Sequence, residues 1–133
     1  MIKLLSALPN ALLVAQEGYT LLTTGISEKR ARSLLQANRW ESFVGHASTA
    51  ALFSERLGMP IAYNRVNVTL DYPDCLVVGL FTPPHRLEEG QRWSEQEILA
   101  MPINWVLVQK HPSESVQIVS PDNNYQPAPV LWS

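Results

Sequence analysis

The sequence predicts an α/β protein, a single domain in which helices pack on a mixed β-sheet of about five to six strands. Three observations lead there. Apolar runs of strand length alternate with stretches of helical periodicity through the first half of the chain, the pattern of helices laid on a sheet. An alternating run at 64–70 and a near-continuous apolar run at Cys75–Phe81 flank the turn residues Asp71-Tyr72-Pro73-Asp74, and the two read as a hairpin. A short capped helix then leads into a last strong strand at 103–109. The chain of 133 residues suffices for one domain with one core.

Each element has a local reason. Ile2–Leu5 reads as the first strand, broken by the loop Ser6-Ala7-Leu8-Pro9-Asn10. Residues 11–15 are apolar and fit helix or strand. Residues 19–24 are rich in β-formers and end at Gly25. Ser27 is an N-cap with Glu28 in the first turn, and Ala31, Leu34 and Leu35 fall at helical spacing, so a helix spans Glu28–Ala37 with Asn38 as its stop. Residues 42–45 are a short strand. The next helix, Ala47–Leu57, carries Ala47, Ala50, Phe53, Ser54 and Leu57 on one side and stops at Gly58. Leu52 lies off that stripe, as an exposed leucine or a subunit contact.

In the run at 64–70, Val66, Val68 and Leu70 share one face and Arg65, Asn67 and Thr69 the other, as in a half-buried strand. Ser94 and Glu97 have capping-box spacing, and Trp93 and Ile98 that of a hydrophobic staple. From His111 four prolines interrupt the chain. The expected division is therefore a body over 1–110 and a Pro-rich tail over 111–133. Residues 116–119 could add an edge strand, and Val130-Leu131-Trp132 offers an apolar segment that can dock on the body.

Composition narrows the function classes. A hydrophobic share of 46% with 17% charged residues belongs to a folded chain. A net charge of −2 argues against a general DNA binder, which carries a basic stripe, yet a few local arginines suffice for a small anion. The single cysteine, Cys75, sits in an apolar run and reads as a buried, inert thiol, in keeping with a reducing cytosol. The apolar start is too short for a signal peptide, and no run nears the roughly 20 residues of a membrane span. A cytoplasmic protein without membrane contact is expected.

The candidate chemistry begins at Phe43-Val44-Gly45-His46-Ala47-Ser48-Thr49. The first N–H groups of a helix lack intrahelical partners and favour an anion, and histidine exchanges a proton near neutral pH. His46 is thus a candidate general acid beside a phosphate site, or a helix-capping histidine. Arg86 and Glu89 form either a surface ion pair or part of a shaped loop, since Pro83 and Pro84 precede them and Gly90 follows. Arg65 is an exposed charge, or a phosphate contact if it faces the same cleft. His85 and His111, beside prolines, read as solvated. No P-loop, dinucleotide fingerprint, zinc spacing or serine elbow is present, so metal-free chemistry is the default.

In order and spacing, Gly45-His46-Ala47-Ser48-Thr49-Ala50, Asn64-Arg65-Val66, Arg86-Leu87-Glu88-Glu89-Gly90 and Ser94-Glu95-Gln96-Glu97-Ile98 resemble the viral type III anti-CRISPR ring nucleases and their bacterial and phage relatives. The likeness spans roughly residues 1–110. It implies a homodimer that binds cyclic tetra-adenylate, the second messenger of type III CRISPR immunity. It implies a metal-independent phosphodiesterase, without cofactor, that cuts this ring to linear di-adenylates and so switches off the signal in the host cytoplasm. The resemblance places the catalytic residues on His46, Arg86 and Glu89. It places ligand contacts on Arg65, on Gly45, and on the first loop, Ser6, Ala7, Leu8 and Pro9. The chain departs from the family at Ser6, Pro9 and Leu80, and by two extra residues within 82–85. Two other readings stand beside the enzyme: a sponge or sensor that holds a cyclic oligonucleotide uncut, and an interaction protein that uses Leu52 and the tail.

Overall fold

Two short segments, one apolar throughout and the other apolar but for a single lysine, take the centre of the sheet. In the computed structural model, which describes residues 1–13 and 16–113, Ile2–Leu5 (β1) and Cys75–Phe81 (β4) pair in parallel, Ile2 opposite Cys75 and Leu5 opposite Val78. Trp40–Ser42 (β3) adds to the free side of β1, also in parallel. Ile103–Pro112 (β5) runs antiparallel to β4, and Tyr19–Ile26 (β2) antiparallel to β5. The five-stranded sheet has the order β2-β5-β4-β1-β3. Only β5 is reversed, so β1, β2, β3 and β4 all end at one edge. That edge is where ligands bind in open α/β sheets.

The helices are Asn10–Leu13 (α1), Glu28–Ala37 (α2), Ala47–Leu57 (α3) and Glu95–Ala100 (α4). Ala31 and Leu35 of α2, Phe53 and Leu57 of α3, and Trp93 and Met101 around α4 share one core with Ile2, Leu4, Val77 and Trp105 of the sheet. A second core on the opposite face joins Leu5, Leu76, Val78 and Val108 to Leu70, with Leu8, Leu12 and Val68 packed beside them. The caps form where the sequence puts them. Ser27 Oγ accepts from Arg30 N at 3.0 Å, and Ser94 and Glu97 make a complete capping box. Gly58, at φ 67°, closes α3 with its N–H on Ser54 O. Asn38 ends α2 through its side chain, whose Nδ2 donates to Leu34 O at 2.8 Å.

Several expectations are corrected. Residues 64–70 form no strand and no hairpin. Both edges of β4 are already taken, by β1 and β5, so a hairpin partner has nowhere to bond. The segment instead crosses the second core in extended form. Val68 and Leu70 are turned in, and Val66 is left exposed. Lys3 Nζ donates to Thr69 O at 2.6 Å, and Lys110 Nζ to Leu70 O at 3.2 Å, which pins it. Leu52 is fully buried, because α3 touches α2 and α4 as well as the sheet. The third strand ends at Ser42 rather than Gly45, and Gly25 lies inside β2, opposite Val106. His111 belongs to β5, paired with Thr20, not to a loop. Cys75 is half-buried, and burial pushes its thiol up from the ordinary range. The proposed edge strand at 116–119 and the apolar end at 130–132 lie outside the described residues. Within those residues no helix is long and apolar enough to cross a membrane.

Candidate functional site

α3 is held firmly at its far end. Arg32 Nε and Nη2 donate to the Leu57 and Arg56 carbonyls at 3.0 and 3.1 Å, satisfying acceptors that the helix end leaves open. Arg56 pairs with Glu28 of α2 at 3.0 Å and donates to the Ile98 and Met101 carbonyls of the α4 region. At its near end sits His46 in extended backbone, φ −135° and ψ 134°, as the N-cap residue, with no side-chain capping bond. Its carbonyl takes the Ala50 N–H at 2.9 Å. The N–H groups of Ala47, Ser48 and Thr49 have no acceptor among the described residues.

The chain reaches His46 along β3, then crosses a parallel bridge between Val44 and Tyr63. Asn64 locks that bridge. Its N–H donates to Val44 O at 2.9 Å and its Nδ2 to Ser42 O at 2.8 Å. Arg65 therefore passes directly over Gly45, where a Cβ would lie 3.6 Å from Arg65 Cγ. The loop between β4 and α4 forms the opposite wall. Glu88 N donates to Gln91 Oε1 at 2.9 Å, and Gln91 N returns to Glu88 O at 3.0 Å. Gly90, at φ 82°, takes the left-handed conformation that closes this turn.

These parts enclose an open cleft of about 1270 Å³. Gly45, His46 and Ser48 line one wall, Tyr63 and Arg65 flank it, and Glu88, Glu89 and Arg92 face them from the loop. Trp93, Ile98 and Leu99 give it an apolar end. Of the residues singled out in the sequence, His46, Arg65, Glu89 and Gly45 come together here. Arg86 does not line the cleft. It stands exposed one residue before the partly buried Leu87, which packs on the main core. Ser6, Ala7, Leu8 and Pro9 are also outside it, at the carboxyl end of β1, with Leu8 turned into the second core.

The side chains of His46, Arg65, Arg86, Glu89 and Arg92 make no hydrogen bond or ion pair with any described residue. The cleft thus gathers a proton-exchanging ring, open helix amides, two guanidinium groups and carboxylates. That set suits a phosphodiester whose cleavage needs a proton at the leaving oxygen. Among the described residues no group of three His, Cys, Asp or Glu stands where it could share a metal ion.

Sequence reading missed Arg92 and Tyr63, and gave Ser48 no role beyond its place in the motif. Arg92 precedes the capping box, and Tyr63 lies two residues before Arg65 on an extended segment, which puts both side chains on one side. That spacing was a usable signal for Tyr63. His85, read as solvated, is exposed but bonded. Its Nε2 meets Glu97 Oε2, and its ring lies 5.0 Å from Trp93 at 60°.

A family model described as STIV B116-like matches residues 6–105. The fold is shared with B116 of Sulfolobus turreted icosahedral virus, at a TM-score of 0.64 and 23% sequence identity, over 81% of this chain and 97% of that one. No curated protein matches the chain.

Proposed function

Since the chain belongs to the STIV B116-like family, we propose that it acts as that fold's chemistry permits, as a metal-independent ring nuclease that opens cyclic tetra-adenylate to linear di-adenylates. The observation that carries this reading is the cleft itself, in which an unpartnered imidazole at an open helix start faces a free carboxylate with guanidinium groups on both walls. A ribose 2′-hydroxyl attacks the adjacent phosphorus in line, and the 5′-oxygen leaves. His46 gives that oxygen its proton. Arg65 and Arg92 hold phosphate charge, and the amides of Ala47, Ser48 and Thr49 add oriented donors. Glu89 accepts the hydrogen bond of the 2′-hydroxyl. The nucleophile lies within the substrate, already placed.

Arg86 enters this proposal as the residue that stabilises the transition state from the edge of the site. A homodimer suits a four-fold ring, because a two-fold axis through the ligand presents one His46 to each of two opposite linkages. Arg86 lying outside the cleft wall, together with the departures that the resemblance implies at Ser6, Pro9 and Leu80, favours a second reading, a protein that holds the cyclic nucleotide without cutting it.

One assay separates them. The protein is incubated with cyclic tetra-adenylate in EDTA, and the products are resolved by chromatography. Di-adenylates are expected. His46→Ala should slow their release about 10²–10⁴-fold with binding largely kept. Ring that is bound but never opened leaves the sponge. Cleavage by His46→Ala at the wild-type rate removes His46 as the acid.

A further inference from the structure

The loop that carries Arg86 and Glu89 is tied to α4 by one side chain. His85 Nε2 contacts Glu97 Oε2, and His85 Nδ1 lies 3.2 Å from the carbonyl oxygen of Arg86. A carbonyl and a carboxylate are both acceptors. A neutral imidazole has one N–H and one lone pair, so it can serve only one of them; both are served only when both ring nitrogens carry hydrogen. The geometry is therefore that of an imidazolium. Glu97 is shared. Its Oε1 takes the Ser94 N–H at 2.8 Å, closing the capping box, while Oε2 takes the ring. The contacts of the ring among the described residues are Glu97 of α4, the Arg86 carbonyl and the ring of the buried Trp93.

We propose that His85 is a positioning residue whose imidazolium clamps the loop at residues 82–93 to α4 and fixes the backbone from which Arg86 and Glu89 reach the substrate. The consequence of this clamp for catalysis rests on the ring-nuclease reading; its existence does not. The Arg86 carbonyl and then the Glu97 carboxylate hold the His85 ring above the ordinary histidine range. The Ser94 N–H, and with it His85, holds Glu97 below the ordinary carboxylate range. A raised histidine contributes fully below its unfolded pKa and is lost as pH rises through its folded value. A lowered carboxylate contributes above its unfolded pKa and is lost as pH falls through its folded value. The clamp is complete between those limits and opens on the alkaline side when His85 loses its proton.

The test uses the full chain. Imidazole ¹⁵N chemical shifts are followed against pH, with His46→Ala and His111→Ala serving only for assignment. The expected result is that both His85 nitrogens are protonated near neutral pH, with a midpoint above that of free histidine, and that Glu97→Gln moves the midpoint down. A His85 that titrates as free histidine and ignores Glu97→Gln overturns the clamp, with no substrate needed. With cyclic tetra-adenylate, His85→Ala should lower kcat about 10–100-fold, the scale of a misplaced catalytic group. His85→Lys, whose ammonium keeps the charge and has donors enough for both acceptors, should recover most of that rate and shift the alkaline loss to higher pH. Ser94→Ala removes one support of Glu97 on the acid side but leaves both contacts of His85, so the alkaline limb of the pH profile must not move. If His85→Ala keeps the wild-type kcat and pH profile, the positioning role is wrong. If the wild-type chain cuts no ring, the functional reading fails, and the NMR titration still decides the clamp.

Discussion

Gly79 lies in the middle of β4 under the end of two aromatic rings. A Cβ placed there would come 2.6 Å from Phe53 Cζ, and 2.8 and 2.9 Å from Trp105 Cζ3 and Cη2. Ordinary carbon contacts are about 3.5–4.0 Å, so Gly79→Ala demands roughly 1 Å of room. The rings cannot swing away. Phe53 is fully buried, its ring 4.9 Å from Trp105 and 6.1 Å from Phe81, and Trp105 Nε1 is bonded to Glu28 at 3.1 Å. Overpacking of a tight core costs about 1–3 kcal/mol. Against that stands a gain of about 0.4–1 kcal/mol, because alanine restricts the unfolded chain. With two locked rings in the way the strain wins, by about 2 kcal/mol. For a domain between the small and large classes that corresponds to a Tm lower by roughly 6–10 °C. Calorimetry of the wild type and the variant measures it. Phe53→Leu in the same chain should recover part of the loss, giving a coupling of about 0.5 kcal/mol or more. A Tm equal to or above the wild type would show that the core between α3 and β4 is not close-packed, and the account of how α3 is seated would fail with it.

Two further outcomes follow from the same geometry. Arg56→Met keeps an unbranched apolar stem but removes the cation beside Glu28, which retains only its bond from Trp105, and strands the Ile98 and Met101 carbonyls. It should cost about 2–4 kcal/mol in urea unfolding, and a loss under 0.5 kcal/mol would mean these bonds are replaced by water. Gly45→Ala should be nearly silent in the same experiment, within about 0.5 kcal/mol, because its Cβ meets Arg65 at the ordinary distance of 3.6 Å. A large destabilisation there would mean that Arg65 cannot yield over Gly45.

Much of the fold is written in local chemistry. The caps at Ser27, Gly58 and Ser94 depend on residues within one turn, and all three form as the sequence implies. The strands β1 and β4 are legible because burial on both faces leaves almost no polar position: β4 has none, and β1 has Lys3, itself buried and bonded to Thr69 O. Residues 64–70 misled for a physical reason. Alternation reports which side chains are turned inward, and Val68 and Leu70 are, but it says nothing of whether a strand edge is free to accept hydrogen bonds. Leu52 misled because one helix stripe predicts one buried face, while α3 has neighbours on more than one side. Arg92 and the tie between His85 and Glu97 depend on which loops converge, which no spacing encodes.

The cleft joins two walls of unequal firmness, and that inequality has chemical meaning. His46 stands on a helix whose far end is fixed by Arg32 and Arg56 and whose buried face is locked against Trp105. Glu89 stands on a loop held by Leu87 in the core, by the Glu88–Gln91 turn and by His85. His46 is thus placed by the stability of the whole domain. The residues opposite it are placed by a few bonds, one of which exists in full only with a protonated ring. Opening of the Glu88–Gln91 turn and of the His85 contact can leave Leu87 and Trp93 in the core, so such motion belongs to the low-energy end of the molecule's motions. On the ring-nuclease reading proposed above, substitutions that loosen α3 should lower stability and turnover together, whereas substitutions at the clamp should change turnover and its pH dependence while the melting transition stays nearly where it was.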